Sequence, residues 1–346
     1  MTERRAPTLR ARNESRVLAQ AGATAEAKPF DRIPVIDITP LFSIDAQARA
    51  IVGSEIRTAC MDVGFFYVSG HGVDDAVYAG AFAAAQSFFD LPDEHKSAVS
   101  IYNSAAMRGY TGLLEENTDP DNLGDLHEAF DASLDLDPDD PDVASGTYGY
   151  GVNQWPELEG FRTAVMTYHQ ALGVLSESLY RGFALSLDLP EDHFAPMLTK
   201  PIAELRLLHY PPQDQHDDGK IMGIGAHSDY DVFTVLATDE TPALQVQNPA
   251  GAWIDAPPLP GTFIVNVGDL MQRWTNDLYR STIHRAINRT GQRRYSIPFF
   301  SNVNPLEMVS VLPSCRSDDR PARYEPIGAA AYVEACMQEA YGVVDG

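Results

Sequence analysis

The chain has 346 residues, 44% of them hydrophobic, with 49 acidic side chains against 25 Lys and Arg and a formal charge of −24. Such an acidic chain repels phosphate backbones and anionic lipid, which argues against nucleic acid or a membrane surface as partners. No apolar run reaches the roughly 18–20 residues of a membrane helix, and three scattered cysteines, Cys60, Cys315 and Cys336, fit a reducing cytoplasm.

Residues 1–29 carry several arginines but no sustained apolar periodicity, which predicts an irregular leader rather than a secretory signal. Ile33 to Asp37 is a short β-prone run, placed near a sheet edge by Pro34. From Asp45 to Cys60, apolar residues recur at helical spacing, with Gly64 as a stop. A strand over Gly64 to Val68 follows, then a helix from Asp74 or Asp75 to Phe89, and Pro92 opens another.

Between 109 and 161 the chain contains fourteen acidic residues and no Lys or Arg. This composition predicts a solvated loop, long enough to serve as a lid over residues 109–160. Apolar positions 161, 165, 168, 172, 175, 179, 183 and 187 then predict one long helix with a core-facing stripe.

After Pro201 the pattern turns to short β-prone runs separated by Pro, Gly, Asn and Asp, and a helix is expected from Ala329 to Tyr341. Many short strands with turn signals between them predict a jelly-roll sandwich or barrel. The expected organisation is the leader (1–29), an N-terminal helical and strand portion (30–200), a jelly-roll core (201–311) and a C-terminal tail and helix (312–346).

Within that core, His227 and Asp229 in Gly225-Ala226-His227-Ser228-Asp229-Tyr230 stand two apart, hence on one face if the segment is a strand. An imidazole and a carboxylate make two thirds of the 2-His-1-carboxylate set that holds non-haem Fe(II). Of the other histidines, His284 lies in a β-prone run of the same half and is the candidate third ligand. Ten residues on, Arg294 and Ser296 again share a strand face, where a guanidinium beside a hydroxyl can clamp a carboxylate. An internal ion pair is the alternative use of Arg294.

These motifs resemble those of the isopenicillin N synthase-like family of 2-oxoglutarate and Fe(II)-dependent dioxygenases. The resemblance rests on Gly225 to Tyr230, Tyr279 to Arg285, and Arg294-Tyr295-Ser296-Ile297-Pro298-Phe299-Phe300. It extends to Gly64-Phe65-Phe66-Tyr67-Val68 with His71-Gly72, to Arg108-Gly109-Tyr110, and to Asn266-Val267-Gly268-Asp269. It implies a mainly β fold with flanking helices, a double-stranded β-helix (jelly-roll) core and an N-terminal α/β portion packed around it.

It further implies His227, Asp229 and His284 as iron ligands, and Arg294, Ser296 and Tyr210 as the 2-oxoglutarate site. Many relatives have Asn two residues before that Tyr; here Leu208 stands there and cannot hydrogen-bond. The implied reaction consumes 2-oxoglutarate and O2, releases succinate and CO2, and hydroxylates, desaturates or cyclises a small molecule, in specialised metabolism. Met107, Arg108, Tyr110, Phe130, Phe300 and Asn302, with Arg206 on a core strand, are the implied substrate contacts.

Three other functions stay open at this point: an oxidase of the isopenicillin N synthase type that uses no 2-oxoglutarate, an ethylene-forming 2-oxoglutarate enzyme, and a non-catalytic metal-binding scaffold. The ending Val343-Val344-Asp345-Gly346 lacks the Gln and the basic segment that the first type uses. Neither the substrate nor the oligomeric state is legible.

Overall fold

The computed structural model describes residues 29–118, 124–213 and 222–340. The expected leader, apart from Pro29, His216 and residues 343–346 lie outside the described residues.

Twelve strands build two facing sheets. They are β1 (Val35–Asp37), β2 (Phe65–Ser69), β3 (Gly109–Thr111), β4 (Glu128–Ala132), β5 (Ala203–Tyr210) and β6 (Ile224–His227). The rest are β7 (Phe233–Thr238), β8 (Leu244–Gln247), β9 (Trp253–Asp255), β10 (Phe263–Val267), β11 (His284–Ala286) and β12 (Arg294–Ser301). The major sheet has eight strands in the order β1-β2-β10-β7-β12-β5-β4-β3, and the minor sheet four, β6-β11-β8-β9. Apart from β1, which pairs parallel to β2 at the edge, the pairs are antiparallel. This is the jelly-roll core, flanked by helices.

Alternation along the strands decides what each residue faces. On β12, Tyr295, Ile297 and Phe299 join the main apolar core, while Arg294, Ser296, Pro298 and Phe300 line a cavity between the sheets. On β5, Leu205 and Leu207 point to the core, and Glu204, Arg206, Leu208 and Tyr210 to the cavity. The helices Ala46–Asp62, Asp75–Phe89 and Phe161–Ser186 cover the core face. Phe183 packs on Phe233 with ring centroids 5.0 Å apart and on Phe66 at 6.4 Å. Burying each such ring contributes about 2–3 kcal/mol, so truncating Phe233 would loosen the helix layer from β7.

Two helix starts read from the sequence are capped as their residues suggest. Asp45 accepts from the amides of Gln47 and Ala48 at 2.9 and 3.3 Å, and Asp74 from that of Ala76 at 2.7 Å. Each cap satisfies amides that have no partner within the helix. At Gly64 the backbone φ is +78° and an added Cβ would lie 2.3 Å from the Arg280 carbonyl, so only glycine fits between the first helix and β2.

The acidic stretch is not one loop. Its β3 and β4 belong to the major sheet, with β4 hydrogen-bonded along β5. Acid count hid the strand signal of Tyr110, Phe130 and Ala132, which are buried in the core. Nor are all the acids solvated: Glu116, Asp125, Glu128 and Asp131 are buried with partners, whereas Asp135, Asp137 and Asp139 are not buried. The N-terminal portion therefore does more than pack around the core, because β1 to β4 supply half of the major sheet.

Asp125 has a further position. It bridges to Met222, and its carboxylate accepts from the amides of Thr118 and Gly225, each at 2.8 Å. The segment before β4 thus covers the free edge of β6 and joins the two sheets.

Candidate metal centre and substrate cavity

β6 ends at His227, so Asp229 follows in the loop rather than inside the strand. The turn still brings their side chains together. Antiparallel pairing of β6 with β11 sets His284 opposite His227, with ring centroids 4.2 Å apart. The Nε2 atoms of both histidines lie 3.6 Å from Oδ1 of Asp229. One donor atom from each residue falls within 4.8 Å of the others, the one such group of three or more His, Cys, Asp or Glu among the described residues.

The surrounding hydrogen bonds orient all three. Nδ1 of His227 lies 2.8 Å from the Gly225 carbonyl and Nδ1 of His284 lies 3.1 Å from that of Thr282. A carbonyl can only accept, so each Nδ1 carries the proton and each Nε2 presents a lone pair. Oδ2 of Asp229 accepts from the Thr234 hydroxyl and, at 2.8 Å, from the Asn266 amide, leaving Oδ1 for a metal.

Burial, with the neighbouring His227, pushes His284 down to about 4, so its imidazole is neutral at pH 7. For Asp229 burial works the other way, but the two imidazoles and the Asn266 and Thr234 donors outweigh it and hold the carboxyl below its ordinary value. Two imidazoles that turn a lone pair inward and one carboxylate, each with its outer atom already bonded, fit a divalent first-row metal.

Arg294 lines the same cavity and is buried, yet it has no ion pair among the described residues. Its Nη1 donates to the Ser296 hydroxyl at 3.3 Å, its guanidinium carbon lies 4.5 Å from the centre of the Tyr210 ring, and its Nε has no partner. Ser296 in turn donates to the Tyr210 hydroxyl at 3.3 Å. A buried guanidinium with a spare donor and no counter-ion fits an incoming carboxylate. The internal ion pair weighed for Arg294 does not occur among the described residues.

Two models of known families match, one described as non-haem dioxygenase in morphine synthesis, N-terminal (residues 33–158), the other as the 2OG-Fe(II) oxygenase superfamily (residues 201–303). A 2-oxoglutarate-Fe(II) type oxidoreductase of Emericella nidulans is 36% identical over 315 residues, covering 89% of this chain and 90% of its own. The chain belongs to the 2-oxoglutarate and Fe(II)-dependent dioxygenases.

The dioxygenase is also similar to homoarginine-6-hydroxylase of Oryza sativa subsp. japonica, 34% identical over 320 residues, with 86% of this chain and 94% of that one covered. Among solved structures it resembles a full-length Neurospora crassa protein in complex with alpha-KG, at TM-score 0.79 and 27% identity over 88% of this chain and 96% of that one. The same Neurospora protein with alpha-KG and thymine superposes equally, at 0.79 and 26% identity over 90% and 97%. The family uses Fe(II), 2-oxoglutarate and O2.

Of the substrate contacts expected in this dioxygenase, Met107, Arg108, Arg206 and Phe300 line the cavity. Tyr110 and Phe130 do not. They are register partners across β3 and β4 and share the face toward Phe88, with Phe130 at 4.9 Å from that ring and Tyr110 at 6.0 Å. Asn302 is turned away too, its amide donating to Asp231 at 3.3 Å and its oxygen accepting from the Val303 amide. Arg206 is committed elsewhere, with Nε and Nη2 on Asp131 at 2.7 and 3.1 Å and Nη1 on Glu116 at 2.8 Å. Leu208 lies among Ala129, Tyr210, Ala286 and Ile224, an apolar patch beside the Arg294 end.

Several cavity residues escaped the sequence reading. Glu204 stands two residues from Arg206 on β5, so the alternation rule could have found it, whereas Asp231 lies in the loop before β7, where that rule does not apply. Asp231 is buried, and that burial with the nearby carboxylates of Asp229, Glu204 and Asp269 pushes it well above the ordinary value. Val333 and Met337 arrive from the C-terminal helix Ala329–Ala340, and no local signal ties them to the site.

Proposed function

We propose that His227, Asp229 and His284 hold Fe(II) in this dioxygenase, and that Arg294, Ser296 and Tyr210 bind the distal carboxylate of 2-oxoglutarate. The observation that carries the reading is the arrangement within one cavity of an unpaired, buried Arg294 and three inward-facing metal donors. Bound there, iron with 2-oxoglutarate and O2 supplies an oxidant able to attack a C–H bond, releasing succinate and CO2.

The protein's part is to bind, orient and exclude water. Gly225 and Thr282 fix the imidazole tautomers, Asn266 and Thr234 fix the carboxylate, and the sheets keep the reacting atoms dry. No side chain is assigned as an acid or base. The substrate is a small molecule, received in the cavity that Met107, Phe300, Ile202 and Met337 line. The similar proteins point to different substrates, homoarginine in one name and thymine in one complex, so none is transferred. No described helix is long and apolar enough to cross a membrane, and the three cysteines are buried. Both fit a cytoplasmic enzyme.

Anaerobic titration of the Fe(II) protein with 2-oxoglutarate tests this reading. A visible charge-transfer absorption is expected, abolished in His227→Ala and Asp229→Ala and shifted to higher 2-oxoglutarate concentration in Arg294→Ala. Iron bound without that absorption would overturn the 2-oxoglutarate assignment and favour the oxidase type.

A further inference from the structure

The loop that carries Asp229 is clamped by the chain that leaves β10. There Asn266, Val267 and Gly268 lead into a short helix, Asp269–Trp274. The Asn266 side chain donates to Oδ2 of Asp229. The amides of Gly268, Asp269 and Leu270 donate to the carbonyls of Val232, Asp229 and Asp231 at 3.0, 2.9 and 3.1 Å. The two segments touch closely, since a Cβ added at Gly268 would lie 2.1 Å from the Asp231 carbonyl.

Asp269 does more than lend its amide. Its side chain is buried; Oδ1 accepts from the Ser281 hydroxyl at 2.6 Å and Oδ2 from the Tyr332 hydroxyl at 3.0 Å. Ser281 stands three residues before His284, and its own amide donates to Oε1 of Gln272, in the same short helix, at 2.7 Å. Tyr332 belongs to the C-terminal helix Ala329–Ala340, whose Val333 and Met337 line the cavity. Burying a carboxylate is unfavourable unless its oxygens are bonded, and here each bond goes to a segment that shapes the site. One residue therefore holds the backbone of Asp229, the approach to His284 and the wall across from them.

Resting on the reading of His227, Asp229 and His284 as the Fe(II) ligands, we propose that Asp269 is a positioning residue of the metal centre. It fixes Asp229 relative to His284 through Ser281, and with its other oxygen it seats the C-terminal helix as a wall of the substrate cavity.

Variants of the three residues separate the two arms. Anaerobic titration measures Fe(II) and Co(II) affinity, the ligand-field absorption of Co(II) reports donor geometry, and amide exchange reports the C-terminal helix. Ser281→Ala is expected to lower metal affinity by ~10-fold, the low end for loss of an outer partner, and to change the Co(II) bands. Tyr332→Phe is expected to leave affinity and bands unchanged and to speed exchange over Ala329–Ala340 by ~10-fold, the fold-change of one lost hydrogen bond to a charged group. Asp269→Ala should show both effects. Asp269→Asn, whose amide can bond the same two hydroxyls, should restore most of each.

Unchanged affinity and Co(II) bands in Ser281→Ala and Asp269→Ala would overturn the proposal and leave Asp269 a packing residue. So would a loss of affinity in Tyr332→Phe equal to that in Ser281→Ala, the sign of general loosening, or unchanged exchange in Tyr332→Phe. His227→Ala is titrated alongside. If it binds metal as tightly as the unaltered protein, the ligand reading falls and this proposal with it; if it binds weakly while the Asp269 variants do not, the positioning role alone falls.

Discussion

Asn266 donates to Oδ2 of Asp229 at 2.8 Å, and that one bond decides which carboxylate oxygen is left between the two imidazoles. Thr234 reaches the same oxygen, so Oδ1 alone faces His227 and His284, 3.6 Å from each Nε2. Removing such an outer partner costs ~10–100-fold in metal affinity in comparable sites. Asn266→Ala is expected to weaken Fe(II) binding by that order while leaving the fold intact. Metal titration followed by circular dichroism of the same samples checks both halves.

Arg294→Lys keeps the charge but loses the paired donors that match a carboxylate. The expected result is a rise in KM for 2-oxoglutarate of ~10-fold or more with unchanged metal affinity, since lysine offers a point charge where arginine offers a fork. Steady-state succinate formation and metal titration measure the two separately.

Leu208 occupies a position where many relatives have Asn, and the sequence alone suggested simply a lost hydrogen bond. Three of its neighbours, Ala129, Ala286 and Ile224, are apolar, and the hydroxyls of Tyr210 and of its register partner Ser296 are the polar groups beside it. Leu208→Asn is expected to destabilise the ligand-free protein by about 1–3 kcal/mol, the apolar burial that Leu208 gives up against that patch. Added 2-oxoglutarate should recover part of the loss in a denaturant melt; full stability without it would count against this account.

Asp125→Ala removes the acceptor of the Thr118 and Gly225 amides. Two buried N–H groups lose their partner at the edge of β6, which is expected to cost about 1–3 kcal/mol. Because the Gly225 carbonyl orients His227, metal affinity should fall as well. Amide exchange at Gly225 would report the loosened edge directly.

Glu128 contributes to the acid limit of the fold. Burial opposes its charge, but His209 at 2.7 Å and Lys96 and the Tyr110 hydroxyl, both at 2.6 Å, pull it down to about 2 from 4.5. With the folded value depressed, its stabilisation is complete above about pH 4.5 and is lost as pH falls toward 2, where the unfolded chain takes up the proton first. The shift corresponds to about 3 kcal/mol. Glu128→Gln should lower stability at pH 7 and flatten its decline across that window, measured by urea unfolding at several pH values.

Much of the site was legible because its chemistry is carried by residues close in sequence. His227 with Asp229, and Arg294 with Ser296, are pairs two apart, and the run around His284 is β-prone enough to place it in the same half. The capped helices and the stripe from Phe161 follow from periodicity and are local in the same sense. Less legible was the acidic segment, where charge composition suggested a lid. Lys96, His209 and Arg206, which pair with Glu128 and Asp131, come from elsewhere in the chain, and only their arrival makes β4 a buried strand.

By itself, then, the sequence determined the candidate metal donors, the candidate carboxylate clamp and the family they resemble, since those depend on residue type and short spacing. Tertiary structure alone decided which way each strand face looks. That depends on where the helices lie, and it sends Tyr110 and Phe130 into the core, while the loop after β6 turns Asp231 toward the cavity. It also decided that Arg206 is bound by two carboxylates and Arg294 by none among the described residues, because a charge finds its partner across the sheet and not along the chain.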